Sequence, residues 1–192
     1  MISYNMQYVY HTALEFHGKA HTPYNRLIYV SSKKSVPLKF QKYEIKGVTL
    51  PRPLQLKKAE MFGVISLSRS GVKLKVTDLE RTFVDVLDRP DLSGSWEEIW
   101  RSLESIEFFD LEKVLRYLYL LENSTTSAKV GLFLEKNKDA LMADEAYLAE
   151  LKKLRPKQVH YISRNMRSGC RYVKEWNLMV PEEILTRSWE EE

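Results

Sequence analysis

The spacing of apolar positions changes period twice along the chain. Between about residues 20 and 77, short apolar runs are bounded by Ser, Gly, Pro and Lys, the pattern of half-buried strands. Residues 27–30, Leu38–Phe40 and Tyr43–Val48 each read as a strand. Residues 61–68 and Val72–Thr77 flank Arg69-Ser70-Gly71 and read as a hairpin. In its second arm Val72, Leu74 and Val76 alternate with lysines, which predicts one buried and one wet face. Pro51 and Pro53 interrupt the pattern before Leu54. Ahead of the strands, Thr12-Ala13-Leu14-Glu15 fits a capping box, with Thr12 accepting from backbone N–H groups and Glu15 reaching back. Gly18 is placed to close that short helix in the left-handed conformation.

From residue 77 the period becomes helical. Thr77-Asp78-Leu79-Glu80 fits a second capping box, with Thr77 at the N-cap of a helix running through Asp88 until Pro90 stops it. Leu79, Phe83, Val84, Val86 and Leu87 form its apolar stripe, with Phe83 and Leu87 expected against the sheet. Ser95-Trp96-Glu97-Glu98 is a third box, followed at helical spacing by Ile99, Trp100, Leu103 and Ile106. Further helices open near Asp110, Thr125 and Asp144, and Pro156 closes the last. About five amphipathic helices over 77–155 make a layer that has to pack on something.

After residue 155 the strand pattern returns. Residues 159–163 and 171–180 flank a turn-rich stretch at 165–169 and predict a closing β-hairpin over 158–181. The expected fold class is α+β: mixed or antiparallel strands over 20–77, a helical layer over 77–155, then the hairpin. No repeat, low-complexity tract or Gly/Ser/Pro-rich linker divides the chain, so residues 1–192 read as a single domain.

Composition narrows the class of protein. The hydrophobic fraction of 44% suits a folded chain. No apolar run approaches the roughly 18 residues of a membrane span, and the first ten residues lack the regions of a signal peptide. The single cysteine, Cys170, suits a reducing compartment, so a cytoplasmic protein is expected. Net charge is +4, but residues 1–75 carry 13 Lys and Arg against 3 acids, residues 76–151 carry 8 against 17, and residues 152–192 carry 9 against 6. Such segregation predicts a basic flank and an acidic flank.

Motifs for catalysis are sparse. There is no Gly-rich phosphate loop and no Gly-x-Ser-x-Gly elbow. His17 and His21 have the i, i+4 spacing of helical metal ligands, but Gly18 interrupts that helix and no third ligand is nearby, so no metal site is expected; hydrogen bonds from His11 and His17 to backbone are. Asp85 and Asp88 lie within a helical turn of Arg81 and Arg89, so ion pairing accounts for them. Glu44-Ile45-Lys46 has the triplet of a metal-dependent nuclease, but residues 1–77 contain no aspartate to complete the site. No cofactor is implied. Basic residues do interleave with aromatics twice, over 26–58 and over 155–172. The second stretch supplies the candidate partner- or nucleic-acid-binding residues Lys157, Arg164, Arg167, Arg171 and Tyr172, expected to project from one end of the hairpin.

Five stretches together carry a resemblance: residues 12–18 (Thr-Ala-Leu-Glu-Phe-His-Gly), 76–90 (Val-Thr-Asp-Leu-Glu-Arg-Thr through Asp88-Arg89-Pro90), 91–94 (Asp-Leu-Ser-Gly), 128–131 (Ala-Lys-Val-Gly) and 176–181 (Trp-Asn-Leu-Met-Val-Pro). In these the chain resembles the AbiEi antitoxins of type IV toxin–antitoxin, or abortive-infection, systems, from about Tyr10 to Pro181. The resemblance implies a non-catalytic bacterial phage-defence protein that neutralises a nucleotidyltransferase-type toxin. It also implies transcriptional autoregulation, with DNA as a second partner, through an N-terminal winged helix. This sequence starts almost directly at the Thr-Ala-Leu-Glu stretch, so operator binding through that module is not expected. A nucleic-acid-binding regulator using its basic hairpins is the alternative, and a metal-dependent nuclease is disfavoured.

Overall fold

Local capping chemistry sets the helical layer. A computed structural model describes residues 6–31, 36–163 and 165–190. In it α1 spans His11–His17, α2 Arg52–Leu56, α3 Leu79–Asp88, α4 Trp96–Glu104, α5 Leu111–Leu121, α6 Ser124–Lys136, α7 Glu145–Leu154 and α8 Glu182–Thr186. Side chains of Ser95, Asp110, Asn123 and Asp144 accept from the first-turn N–H groups of α4 to α7. None of the helices is long and apolar enough to cross a membrane, among the described residues.

Two expected caps are corrected. Asp78, not Thr77, caps α3, its Oδ1 accepting from the Arg81 N–H at 2.9 Å. Thr77 is still strand, paired with Val64, and its hydroxyl bonds that of Thr82 at 2.8 Å. Thr12 lies inside α1, which begins after Tyr10. The Thr12 hydroxyl instead accepts from the Ile28 N–H at 2.8 Å, and Glu15 accepts from the Tyr24 N–H at 2.5 Å, so both side chains tie the helix to the segment that follows it. Gly18 does end α1 with φ of 68°. The Pro51/Pro53 stretch forms α2 rather than only breaking a pattern, because proline's fixed φ suits a helix start.

The fold is α+β, with a six-stranded mixed sheet and a small three-stranded one. The first contains β1 (Gln7–Tyr8), β2 (Arg26–Val30), β3 (Leu38–Phe40), β4 (Tyr43–Val48), β5 (Val64–Arg69) and β6 (Val72–Thr77), in the order β3-β4-β2-β1-β6-β5. β1 runs parallel to β6, and β2 parallel to β4. Ala13 and Phe16 of α1 pack with Tyr8, Leu27, Tyr29 and Val76 of this sheet. A second cluster joins Val9, Ile28 and Val48 to Leu92, in the turn Pro90–Leu92. The main core is helical. Phe83 lies 4.5 Å from the ring of Phe109, in the link between α4 and α5, and 5.4 Å from Phe133 of α6, so its ring packs within the helical layer rather than on the sheet.

The closing hairpin is also corrected. Its strands are β7 (His160–Tyr161), β8 (Cys170–Val173) and β9 (Leu178–Pro181), in the order β7-β9-β8. β7 pairs parallel with β9 and never meets β8. The expected second arm breaks at the turn Lys174–Trp176, because Trp176 plunges into the core and Asn177 reverses the chain at φ of 50°. Asparagine tolerates that left-handed conformation, and its side-chain N–H donates to the Pro156 carbonyl at 2.9 Å.

Candidate functional site

The small sheet does not lie flat on the helical layer. Between them opens a cleft of about 1040 Å³. One wall is the C-terminal end of α3, the turn Pro90–Leu92 and the first turns of α4 and α6; the other is β7 and the segment that follows it. Trp96, Tyr161, Ile162 and Met166 supply apolar surface, and Arg89, Lys129, His160 and Arg167 supply basic groups. A cleft of this size with a few polar groups is the usual form of a binding site.

Most charges in the cleft are already held by neighbours. Asp88 accepts from the Asn123 side chain at 2.9 Å and the Thr126 hydroxyl at 2.6 Å. Arg89 pairs with Asp91 at 3.2 Å. Burial pushes the Asp91 carboxyl up, but the bonds and charge of Arg89 outweigh it and hold the group below the usual carboxylate range. Lys129 is buried, donates to the Leu87 carbonyl at 2.9 Å and places its ammonium 5.9 Å from the Trp96 ring. Thr125 bonds His160 Nδ1 at 2.6 Å. Arg167 differs: it is exposed, lies 5.5 Å from the Tyr161 ring centroid and makes no ion pair among the described residues.

The five residues expected on one hairpin end are not together. Arg167 lines the cleft. Arg171 and Tyr172 sit on β8, beyond β9 from β7; Arg171 pairs with Glu182 at 3.4 Å and the Tyr172 hydroxyl donates to Asn177 at 2.7 Å. Lys157 is exposed in the link between α7 and β7, outside the cleft lining. Arg164 lies outside the described residues. Sequence reasoning missed Arg89, Lys129, His160 and Trp96 as cleft residues. Lys129 gave a signal as a lone cation inside the apolar run 128–134, and His160 as a member of the second basic and aromatic stretch.

Other residues that drew chemical interest have structural partners. His11 Nε2 meets the buried Glu98 at 3.1 Å, and His17 Nε2 meets the Thr77 carbonyl at 2.7 Å. Burial pushes the Glu98 carboxyl up, but bonds from Thr22, Ser102 and His11 outweigh this and lower it. Glu44 pairs with Arg26 at 2.7 Å across β2 and β4. Arg89 pairs with Asp91 rather than with Asp88. Arg81 and Asp85 form the expected ion pair, at 3.3 Å, but wholly inside the protein. Arg81 also donates to the carbonyls of Glu60 and Phe62, and Tyr117 donates to Asp85 at 2.6 Å. Burial pushes Asp85 up to about 6 against the opposing effects of Arg81 and Tyr117.

Two of the stretches that carry the resemblance meet directly. Gly131 of α6 faces Trp176 so closely that a Cβ there would lie 2.1 Å from the indole. Trp176 Nε1 donates to Glu135 one turn further along α6, at 2.8 Å. This contact joins the turn before β9 to α6.

The class defined so far is an α+β protein with a mixed sheet, a helical layer and a charged cleft under a small second sheet. No protein-family model and no curated protein matches the chain. Its fold is similar to that in the crystal structure of the RV2827C protein from Mycobacterium tuberculosis, with a TM-score of 0.60 and 16% identity over 96% of this chain. The chain spans 66% of that protein's length, and at this identity the likeness is one of fold.

Proposed function

We propose that this chain is a non-catalytic, antitoxin-type binding protein that neutralises a nucleotidyltransferase-type toxin in a bacterial abortive-infection system. The cleft carries the reading. Stretches on which the AbiEi resemblance rests supply Asp88, Arg89, Asp91, Gly94 and Lys129 to one side of it, and the second basic stretch supplies Arg167 to the other. The carboxylates Asp88 and Asp91 are engaged by neighbours, which suits a preformed docking surface better than a reactive centre. Arg167 is left to meet a carboxylate or phosphate on the partner, where a charge-assisted fork is a strong contact. Transcriptional autoregulation and a cytoplasmic location belong to the same reading.

Co-expression tests it. A nucleotidyltransferase encoded beside this chain is expected to arrest growth alone and to be neutralised by the wild type. Arg167→Glu, with the fold intact, is expected to lose that protection. Divalent-metal-dependent cleavage of RNA or plasmid by the purified chain, abolished by Glu44→Ala, would place it among nucleases instead.

A further inference from the structure

The first basic stretch is not used by the cleft. Residues 26–58 carry nine Lys and Arg against a single acid, Glu44, which Arg26 already neutralises. Within it β3 and β4 form the outer edge of the large sheet, joined by a tight turn at Gln41-Lys42. Leu38 pairs with Ile45 and Phe40 with Tyr43, so these four side chains share one face. α1 covers the centre of that face but not this edge. Leu38 remains 61% exposed, Phe40 64% and Tyr43 45%. Phe40 and Tyr43 are direct cross-strand partners, which puts two exposed aromatic residues on the same face of the edge. Lys42 at the tip places its ammonium 5.5 Å from the Tyr43 ring, and Lys39 projects from the opposite face of the same narrow edge.

Added protein strands are poor occupants of this edge. β3 is three residues long, follows Pro37, which has no N–H to offer, and carries Lys39 at its middle. Those are the features that discourage strand addition. A face of exposed rings with Lys42 beside it, its edge's one acid, Glu44, lying on the opposite face and paired with Arg26, instead fits bases that stack and a phosphate that passes the cation. A duplex would keep its bases stacked inside and away from the rings, and no helix among the described residues stands on this edge to enter a groove.

We infer that the β3–β4 edge is a binding platform for single-stranded nucleic acid, with Phe40 and Tyr43 as stacking surfaces and Lys42 as the phosphate contact beside them. The surface is distinct from the cleft. The test is fluorescence anisotropy of the whole chain with labelled oligouridine, oligothymidine and a mixed-sequence duplex, each about 12 nucleotides or base pairs long, across a salt series. Single strands are expected to bind more tightly than duplex. Phe40→Ala and Tyr43→Ala should each weaken single-strand binding by about tenfold or more, from the loss of one stacked base. Lys42→Glu should weaken binding and flatten its salt dependence. The RNA and DNA arms identify which strand is preferred. Arg167→Glu should change nothing here, so failure of the platform and failure of the cleft are separable. Because Phe40, Lys42 and Tyr43 are exposed, folding is expected to be unaffected and is checked by circular dichroism. Absence of single-strand binding at low salt overturns the inference. So does binding that ignores both aromatic substitutions, tighter binding of duplex, or self-association of the free chain that depends on Phe40 and Tyr43.

Discussion

Replacing Gly131 by alanine sets two known effects against each other. Gly131 lies inside α6, where alanine is the better helix former by about 1 kcal/mol. With nothing else acting, Gly131→Ala would stabilise the protein. The added Cβ, however, would lie 2.1 Å from two carbons of the Trp176 ring, whereas carbons pack at about 3.5–4 Å. The indole would have to move by about 1.5 Å, and it is fully buried. Overpacking of this kind costs about 1–3 kcal/mol, and drawing Nε1 away from Glu135 costs a further 1–2 kcal/mol. The net expectation is destabilisation by about 2 kcal/mol, read as a lower urea midpoint at unchanged slope. Trp176→Phe removes the clashing part of the ring, so the double variant should be more stable than the sum of the single losses, with a coupling of about 1–2 kcal/mol. A Gly131→Ala protein more stable than the wild type, with no coupling to Trp176, would refute the close approach and with it the joining of that turn to α6.

Two other substitutions test the buried polar groups. Asp85 holds its proton more tightly folded, at about 6, than an unfolded aspartate does at about 4. The stability this gives is fully present below about pH 4 and is lost as pH rises through about 6, so the advantage of the wild type over Asp85→Asn should shrink by up to about 2–3 kcal/mol across that window; urea titrations with identical pH slopes for both proteins would contradict it. Asp78→Ala removes the α3 cap and the 2.6 Å contact with Lys113, and should cost about 1–2 kcal/mol in a thermal melt. An unchanged melting temperature would return the cap to Thr77.

What could be read from the sequence follows the range of the forces involved. Ser95, Asp110 and Asp144 mark helix starts because a cap acts within three residues, and β3, β4 and β6 are bounded by local alternation. Asp78 and Thr77 differ by one position, too fine for a pattern that accepts either residue at the cap. β1 is two residues long and is held between β2, some 20 residues on, and β6, nearly 70 residues on, so no local pattern marks it. The parallel pairing of β7 with β9 likewise depends on Trp176 reaching Gly131, a contact between distant segments. The cleft was invisible for the same reason: Arg89, Lys129 and the segment from His160 to Arg167 come from three separate places in the chain. Arg171 and Tyr172 looked equivalent to Arg167 only while the strands were taken as a simple hairpin.

The central claim is that the cleft receives a nucleotidyltransferase-type partner through Arg167. Titration calorimetry of the purified neighbouring nucleotidyltransferase into wild-type chain and into Arg167→Glu tests it most directly, with Arg171→Glu as the control on the far edge of the small sheet. Reversing a charge that meets a partner carboxylate or phosphate should weaken binding at least tenfold. The wild type and Arg171→Glu are expected to bind tightly, and Arg167→Glu alone to show this loss. Equal binding by all three proteins, or none by the wild type, would contradict it.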